Sequence, residues 1–267
     1  MYIHSYSLQG KRESNEDQHV GILNLDGNNK KINKVNFVGV FDGHGGKLVS
    51  KFLKNNMPQY IMKKSKVNIY QQKKHVTGYF FNHLYDKLQN DLKVKHPTAA
   101  NRCGSTALCG IHYLNEKGQP MLWMVNVGDS RAVMCNYKGQ EVLLTKDHKP
   151  NVKSEKERIK RLGGRIKFDG ADWRIKDLSL SRAFGDIDTA PYVTHRPDIF
   201  RYRLNKGDKY IIFACDGLWD VVSNKHAVKF VNNLLEKKYT GNIAKKLSEY
   251  AIKKGSYDNV TVSILFL

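Results

Sequence analysis

Residues 35–46 read VNFVGVFDGHGG, a β-branched and aromatic run that ends abruptly in an acid, a histidine and glycines. Valine and phenylalanine favour a buried strand, whereas Asp42-Gly43-His44-Gly45-Gly46 favours a loop. Glycine on both sides of His44 allows backbone carbonyl groups to approach a ligand closely. We therefore predict a strand that presents Asp42 and His44 in a site at its end.

The same pattern returns downstream, where YIIFAC at 210–215 runs into DGLWD at 216–220. An Asp-Gly pair after a strand is most often a hairpin turn. A turn would lead into a second strand, but residues 45–62 read as a helix with Leu48, Phe52 and Tyr60 on one face. Two strand ends that each carry an Asp-Gly pair favour one shared cation.

The composition is that of an ordinary globular protein, with 267 residues, 40% hydrophobic and 26% charged. No apolar run approaches the roughly 18 residues that cross a bilayer, and the N-terminus lacks the apolar core of a signal peptide. We expect a single domain over residues 1–267, no membrane span, and a location in the cytosol or nucleus. The four cysteines form no CxxC pair, which favours reduced thiols over zinc ligands or disulfides.

The formal charge of +20 is typical of proteins that bind nucleic acid or another polyanion. The lysines, however, are scattered over many segments, and no arginine-rich arm or aromatic-interleaved basic segment is present. A solvated lysine surface explains them better, so we do not expect a nucleic-acid partner. If the acids cluster internally, the outer surface is more basic still and favours phosphorylated partners.

The rest of the chain alternates blocks of short strands with blocks of helix, which is typical of an α+β protein. Residues 150–178 are loop-rich, with one short basic helix around Ser154–Leu162, and a loop of that length is usually functional. Other predicted elements are helices at Asn68–Lys93, Ser223–Lys238 and Asn242–Lys254, and a central strand at Val260–Leu267.

Six acids lie at or next to predicted strand boundaries: Glu16, Asp42, Asp129, Asp216, Asp220 and Asp258. If these ends converge, the carboxylates raise one another's pKa and need a compensating cation. Hard oxygen ligands without a cysteine favour Mg²⁺ or Mn²⁺ over zinc. Two such ions about 4 Å apart can activate a water and polarise a phosphoryl group.

Eight motifs in one order make the chain resemble the metal-dependent type 2C serine/threonine protein phosphatases. They are Arg12-x-x-x-Glu16-Asp17, Asp42-Gly43-His44-Gly45-Gly46, Gly104-Ser105-Thr106-Ala107, Gly128-Asp129-Ser130-Arg131, Asp147-His148-Lys149-Pro150, Ser181-Arg182-Ala183-Phe184-Gly185-Asp186, Asp216-Gly217-Leu218-Trp219-Asp220 and Asp258-Asn259-Val260-Thr261. Each motif is weak alone, but together they span essentially the whole chain.

The resemblance implies a β-sandwich of two antiparallel sheets flanked by helix pairs, with metals in a cleft at one end and a variable flap at about 150–178. It implies one Mg²⁺ or Mn²⁺ on Asp42, Asp216 and Asp258, and a second on Glu16, Asp42 and the Gly43 carbonyl. Asp129 and Asp220 match ligands of a third ion, and Asp17 and Asn259 match positions just behind the ligands.

By the same resemblance, Arg12 matches the arginine that binds phosphate, and its guanidinium suits two phosphoryl oxygens. His44 matches the general acid that protonates the seryl or threonyl oxygen of the leaving group. The expected protein is a monomeric phosphatase acting on phosphorylated proteins. Two alternatives stay open: a catalytically weak member that serves as a regulatory binding protein, and a metal-dependent nuclease.

Overall fold

Two five-stranded antiparallel sheets dominate the computed structural model, which describes residues 1–25, 35–68 and 74–267. In chain order the strands are β1 Tyr2–Leu8, β2 Gln18–Ile22, β3 Asn36–Phe41, β4 Gly43–His44, β5 Gly104–Ser105, β6 Ala107–Leu114, β7 Pro120–Val127, β8 Arg131–Cys135, β9 Glu141–Leu143, β10 Ile166–Phe168, β11 Trp173–Ile175, β12 Phe184–Gly185, β13 Asp198–Arg203, β14 Tyr210–Ala214 and β15 Val260–Phe266. The α-helices are α1 Leu48–Asn68, α2 Lys74–Lys95, α3 Pro97–Arg102, α4 Lys153–Arg161, α5 Asp216–Trp219, α6 Asn224–Glu236 and α7 Ile243–Lys253.

The C-terminal strand lies inside its sheet, as the sequence predicts. The first sheet has the order β1-β15-β14-β8-β9, and the second has the order β13-β7-β6-β3-β2. Strand β15 pairs antiparallel with β1 on one side, with Val260 opposite Leu8, and with β14 on the other, with Val262 opposite Ala214. Two smaller sheets, β12-β5-β4 and β10-β11, complete the topology.

Strands that are buried at every position serve two cores at once, because successive side chains point to opposite faces. Val38 and Val40 of β3 pack with Ile211 and Phe213 of β14 in the core between the two sheets. Gly110 of β6 makes this contact close, since a Cβ there would lie 2.5 Å from the ring of Phe213. Truncating such a buried phenylalanine to alanine costs about 3–5 kcal/mol.

The opposite faces of the same strands bind the helices. Phe37 and Phe41 of β3 belong to a core with α1 and α2, which contribute residues such as Leu53 and Leu88. On the other sheet, Tyr210 and Ile212 pack on α6 and α7. The layers are therefore helix, sheet, sheet and helix, which confirms the predicted α+β sandwich.

The helix after the first Asp-Gly pair begins at Leu48, three residues later than predicted, and continues past Met62 to Asn68. Gly45 and Gly46 adopt φ of +67° and +127°, outside the right-handed helical region, so the helix cannot begin at Gly45. Gly43–His44 was predicted as pure loop. It forms a two-residue strand that pairs with Gly104–Ser105.

Two other predicted boundaries also differ. The helix predicted at Asn68–Lys93 begins at Lys74 in the described part of the chain and ends at Lys95, while residues 69–73 lie outside the described residues. The segment predicted as loop-rich, residues 150–178, also contains the hairpin of β10 and β11, with Lys167 opposite Arg174. Strands of only three residues give too short an alternating pattern to be predicted from sequence.

The predicted helix pair near the C-terminus is confirmed, and the structure shows a side-chain cap at the start of each helix. The side chains of Ser223 and Asn242 accept hydrogen bonds from the first-turn amides of α6 and α7. Gly255, with φ of +96°, follows the end of α7. All four cysteines are free. In the part of the chain that the structure describes, no helix combines the length and the apolar character that a membrane crossing needs.

Candidate metal and catalytic site

The predicted site residues meet in a cavity of about 640 Å³ at one end of the sandwich, which we call the acidic cleft. Its lining includes Arg12, Glu16, Asp42, Gly43, His44, Asp129, Asp216, Asp220, Asp258 and Asn259. The cleft lies where β3 and β14 end, and where β8 and β15 begin, so both sheets contribute acids. Asp17 does not line the cleft; it is buried, with 3% of its surface exposed.

Asp42 is held at the end of β3 by the GSTA segment. Its amide donates to Thr106 Oγ1 at 3.0 Å, and the amide of Thr106 donates to the Asp42 carbonyl oxygen at 2.8 Å. The hydroxyl groups of Thr106 and Ser130 lie 2.8 Å apart. Two motifs that resembled the phosphatases therefore fix the position of a central acid.

Asn259 fixes the N-terminal acids in the same way. Its Oδ1 accepts from the Glu16 amide at 2.9 Å, and its Nδ2 donates to the carbonyl oxygens of Gln9 and Ser14. The Glu16 carboxylate accepts a hydrogen bond from the Gly46 amide at 2.9 Å. The side chain of Asn259 thus supports the loop that carries Glu16 into the cleft.

Only two cations are ion-paired with the acids of the cleft among the described residues. Arg12 Nη2 lies 2.7 Å from Asp258 Oδ2 at the exposed rim. Lys149 Nζ lies 3.8 Å from Asp129 Oδ2 and 3.7 Å from Asp220 Oδ1. Seven carboxylates, the six of the predicted set together with Asp17, therefore face two positive charges.

Burial and mutual repulsion raise the pKa values of five of these acids, Asp17, Asp42, Asp129, Asp216 and Asp220. Burial raises the pKa of Asp17 and of Asp129 to about 6. Burial, reinforced by the neighbouring carboxylates, raises the pKa of Asp42 and of Asp216 well above the usual range. Both carboxylate oxygens of Asp17 and Oδ2 of Asp129 are buried without a hydrogen-bond partner in the described residues.

These unpaired oxygens fit a bound divalent ion. One ligand atom from each of Asp17, Asp42 and Cys215 lies within 4.8 Å of the others. Burial, followed by the charges of Asp17 and Asp42, raises the pKa of the Cys215 thiol well above its usual value. The thiol donates to the Asn259 carbonyl oxygen, so the available donors are carboxylate oxygens, which suit Mg²⁺ or Mn²⁺.

The hydrogen-bond partner of His44 was not predicted from the sequence. Its Nε2 lies 2.7 Å from Oδ2 of Asp186, whose side chain is 4% exposed. Burial lowers the pKa of His44, but the hydrogen bond and charge of Asp186 outweigh it and raise that pKa above its ordinary value. A Cβ at Gly104 would lie 2.0 Å from Asp186 Oδ2, so this pair requires glycine at position 104.

A second buried acid, Glu155, lies within the 150–178 segment, in α4, and was not predicted. The Glu155 carboxylate is bound by Arg158 at 2.8 Å, Arg182 at 2.6 Å and the Ser181 hydroxyl at 2.8 Å. Arg182 also binds Asp198 at 2.9 Å. Burial raises the pKa of Glu155, but the two arginines outweigh it and lower that pKa to about 2.

The 150–178 segment forms one wall of the acidic cleft. Asp172, Arg174 and Asp177 line it together with residues 178–180. The ion pairs of Glu155 and Arg182 connect α4 of this segment to the Ser181–Asp186 motif. The segment is therefore anchored beside the site, while its hairpin is largely exposed.

Comparison with known proteins gives matches over nearly the whole chain. The family model described as Protein phosphatase 2C matches residues 3–260. A PP2C-like domain-containing protein of Acanthamoeba polyphaga mimivirus is 44% identical over 176 residues, which cover 57% of this chain and 98% of that protein. Protein phosphatase 1L of Bos taurus is 33% identical over 270 residues, covering 97% of this chain and 71% of that protein.

Solved structures show the same fold. The crystal structure of serine-threonine phosphatase 2C from Toxoplasma gondii matches with a TM-score of 0.81 and 24% identity. The match covers 99% of this chain and 94% of that one. At this identity the likeness supports the sandwich architecture alone, and it agrees with the layers described above.

Proposed function

The chain belongs to the protein phosphatase 2C family, and from this membership we propose that it hydrolyses phosphoserine and phosphothreonine monoesters of proteins. One observation carries the proposal: the acidic cleft gathers the predicted acids, Arg12 and His44 around a strong excess of negative charge. Such a cluster suits divalent ions and, through them, a phosphoryl group.

We assign the metal ligands by the family pattern. Asp42, Asp216 and Asp258 would hold one ion, and Glu16, Asp42 and the Gly43 carbonyl would hold a second, with Asp129 and Asp220 available to a third. Bound Mg²⁺ or Mn²⁺ supplies a water of lowered pKa as nucleophile and neutralises charge on the phosphoryl oxygens. Asp17 and Asn259 position these ligands from behind.

Arg12 orients the phosphoryl group in this proposal. Its guanidinium is 61% exposed at the rim and reaches Asp258, so it lies where an incoming phosphate meets the acids. A planar guanidinium can donate two parallel hydrogen bonds to two phosphoryl oxygens. That arrangement would fix the angle between the scissile bond and the attacking water.

His44 supplies the proton that the leaving group needs. When the bond between phosphorus and the seryl or threonyl oxygen breaks, that oxygen takes a proton from the imidazolium and leaves as an alcohol. Because Asp186 binds Nε2, the other ring nitrogen is left for the leaving oxygen. Asp186 also favours the protonated form from which this step begins.

The test uses chelator-stripped protein with Mg²⁺ or Mn²⁺ added back. We expect metal-dependent hydrolysis of phosphothreonine and phosphoserine peptides, and no hydrolysis of single-stranded or duplex DNA and RNA. Preferential cleavage of the phosphodiesters would replace the proposal with a nuclease. Tight binding of a phosphopeptide without turnover at saturating metal would identify a regulatory binding protein instead.

A further inference from the structure

A second cavity, of about 490 Å³, lies beside the acidic cleft under the β10–β11 hairpin. Its lining includes four basic residues, Arg165, Lys167, Arg174 and Lys176, and a single acid, Asp177. We call it the basic pocket. Its charge is opposite to that of the cleft next to it.

The cations of the basic pocket are only partly compensated. Arg174 pairs with Asp169 and donates to the Asp177 carbonyl oxygen at 2.8 Å, and Lys176 Nζ donates to the Asp188 carbonyl oxygen. Among the residues the structure describes, no ion pair joins Arg165 or Lys167 to an acid. Both side chains belong to exposed residues and are available to an anion from outside.

The pairing register of β10 and β11 places two of these cations next to each other. Lys167 lies directly opposite Arg174 on neighbouring strands, and like charges in that position destabilise a sheet. The hydrophobic residues Phe168 and Trp173 pair at the next position and hold the hairpin together from its other face. The structure therefore keeps two repelling cations side by side on the wall of a cavity.

The two cavities share a wall. Arg174 and Asp177 line both the acidic cleft and the basic pocket. A peptide whose phosphorylated residue enters the acidic cleft would carry a nearby residue across this wall. Successive residues of an extended chain advance about 3.3 Å each, so a few residues suffice.

We propose that the basic pocket binds a second anionic group of the substrate, a carboxylate or a second phosphate a few residues from the scissile phosphate. The proposal rests on the proposed phosphatase function and adds a substrate class to it. The acidic cleft would bind the reacting phosphate through metal ions, while the basic pocket would select acidic or multiply phosphorylated segments by direct charge pairing.

The experiment compares three phosphothreonine peptides: one with neutral flanks, one with glutamates placed one to five residues away on either side, and one with a nonhydrolysable phosphonate there. We expect the wild-type protein to have a KM roughly 10-fold lower for the anionic peptides, the effect of one charge-assisted contact, with kcat little changed. A preference for glutamates as well as the phosphonate identifies carboxylates as sufficient; a preference for the phosphonate alone identifies a second phosphate.

The variant Arg165→Ala/Lys167→Ala should lose this preference and keep its activity on the neutral peptide and on p-nitrophenyl phosphate. The matched control is Lys117→Ala/Lys206→Ala, which removes the same charge from exposed turns before β7 and β14, at the opposite end of the sandwich. The control should keep the preference. Wild-type protein without a preference, or a double variant that retains it, would overturn the proposal.

A binding measurement separates this proposal from the phosphatase function. The affinity of fluorescent peptides, with phosphonates at both positions, is measured by anisotropy with Mn²⁺ bound and needs no turnover. If no phosphoester were hydrolysed, the proposed function would fail, and the pocket would still be supported by weaker binding to Arg165→Ala/Lys167→Ala than to the control. Equal affinity for both variants would count against the pocket whatever the activity.

Discussion

Two groups of acids in this molecule differ in how far positively charged partners compensate them. Glu155 and Asp198 lie against Arg158, Arg182 and His148, and these partners lower the pKa of each acid to about 2. The six acids of the cleft and the buried Asp17 behind them have only Arg12 and Lys149 as ion-pair partners among the described residues, and burial and repulsion raise the pKa values of Asp42 and Asp216 well above the usual range.

This difference distinguishes acids whose charge the chain itself compensates from acids that need a bound cation. A buried carboxylate with arginine partners has its charge compensated within the chain, and removing it would leave those arginines unpaired. A buried carboxylate beside other carboxylates destabilises the chain until a cation arrives. Charge compensation, rather than burial or residue type, therefore marks the site.

The largest expected effect comes from neutralising a central acid of the cleft. Asp42→Asn and Asp216→Asn should each lower turnover of a phosphothreonine peptide by at least about 10³-fold, since each removes a charged ligand and the charge stabilisation it supports. In chelator the melting temperature should stay equal or rise, because repulsion is relieved. Wild-type turnover in either variant at saturating Mn²⁺ would contradict the assignment.

Neutralising an acid of the compensated group should instead lower the stability of the protein. Glu155→Gln leaves the guanidinium groups of Arg158 and Arg182 without their buried carboxylate, and breaking such a pair costs about 3–5 kcal/mol of unfolding free energy. Urea denaturation in chelator measures this loss directly. A variant as stable as wild type would mean that the two acid groups do not differ as described.

The pH dependence of stability is a control for this prediction, because the lowered pKa of Glu155 fixes the direction of the change. The pKa of Glu155 is about 2 in the folded protein against 4.5 ordinarily, so its contribution is fully present above about pH 4.5 and is lost as the pH falls towards 2. The stability difference between wild type and Glu155→Gln should therefore shrink across that window. Stability curves that stay parallel from pH 6 to pH 2.5 would assign the loss to packing instead.

His44 tests whether the cleft contains chemistry beyond its metals. A serine or threonine alkoxide needs a proton to leave, whereas a nitrophenolate hardly does. His44→Ala should therefore lose on the order of 10²-fold on a phosphothreonine peptide and much less on p-nitrophenyl phosphate. Equal losses on the two substrates would show damage to the metal site and would remove the proton-donor role, leaving the phosphatase assignment intact.

The difference between the two groups of acids also shows which features could be predicted from the sequence. The acids of the cleft were found because they follow or precede apolar strands, a local pattern that β-strand preference makes visible. We expected these acids to lie close together because the strand ends that carry them converge in a folded sheet. The late start of α1 could not be read, because it depends on the positive φ of Gly45 and Gly46 rather than on hydrophobic periodicity.

Partners that are distant in sequence were not predictable. Asp186 lies 142 positions from His44, and Arg182 lies 27 positions from Glu155. The motifs that contain Lys149, Arg182 and Asp186 were recognised, but nothing local states which acid or base each one contacts. The compensation of carboxylate charge by basic residues, which distinguishes the two groups of acids, could therefore be identified only from the three-dimensional structure.

Asp186→Asn should give the smallest of these effects, and it tests whether this buried acid influences catalysis through His44. Asparagine has nearly the same shape and also tolerates the left-handed φ of +46° at this position, so the backbone should persist. Loss of the charge should lower the pKa of His44, shift the basic limb of the pH–rate profile for a phosphothreonine peptide to lower pH, and reduce kcat about 10-fold at neutral pH. Hydrolysis of p-nitrophenyl phosphate and the metal requirement should change little, because neither depends on proton donation. If the pH profile stays in place while both substrates slow equally, Asp186 supports only the local fold, and the pair with His44 has no part in protonating the leaving oxygen.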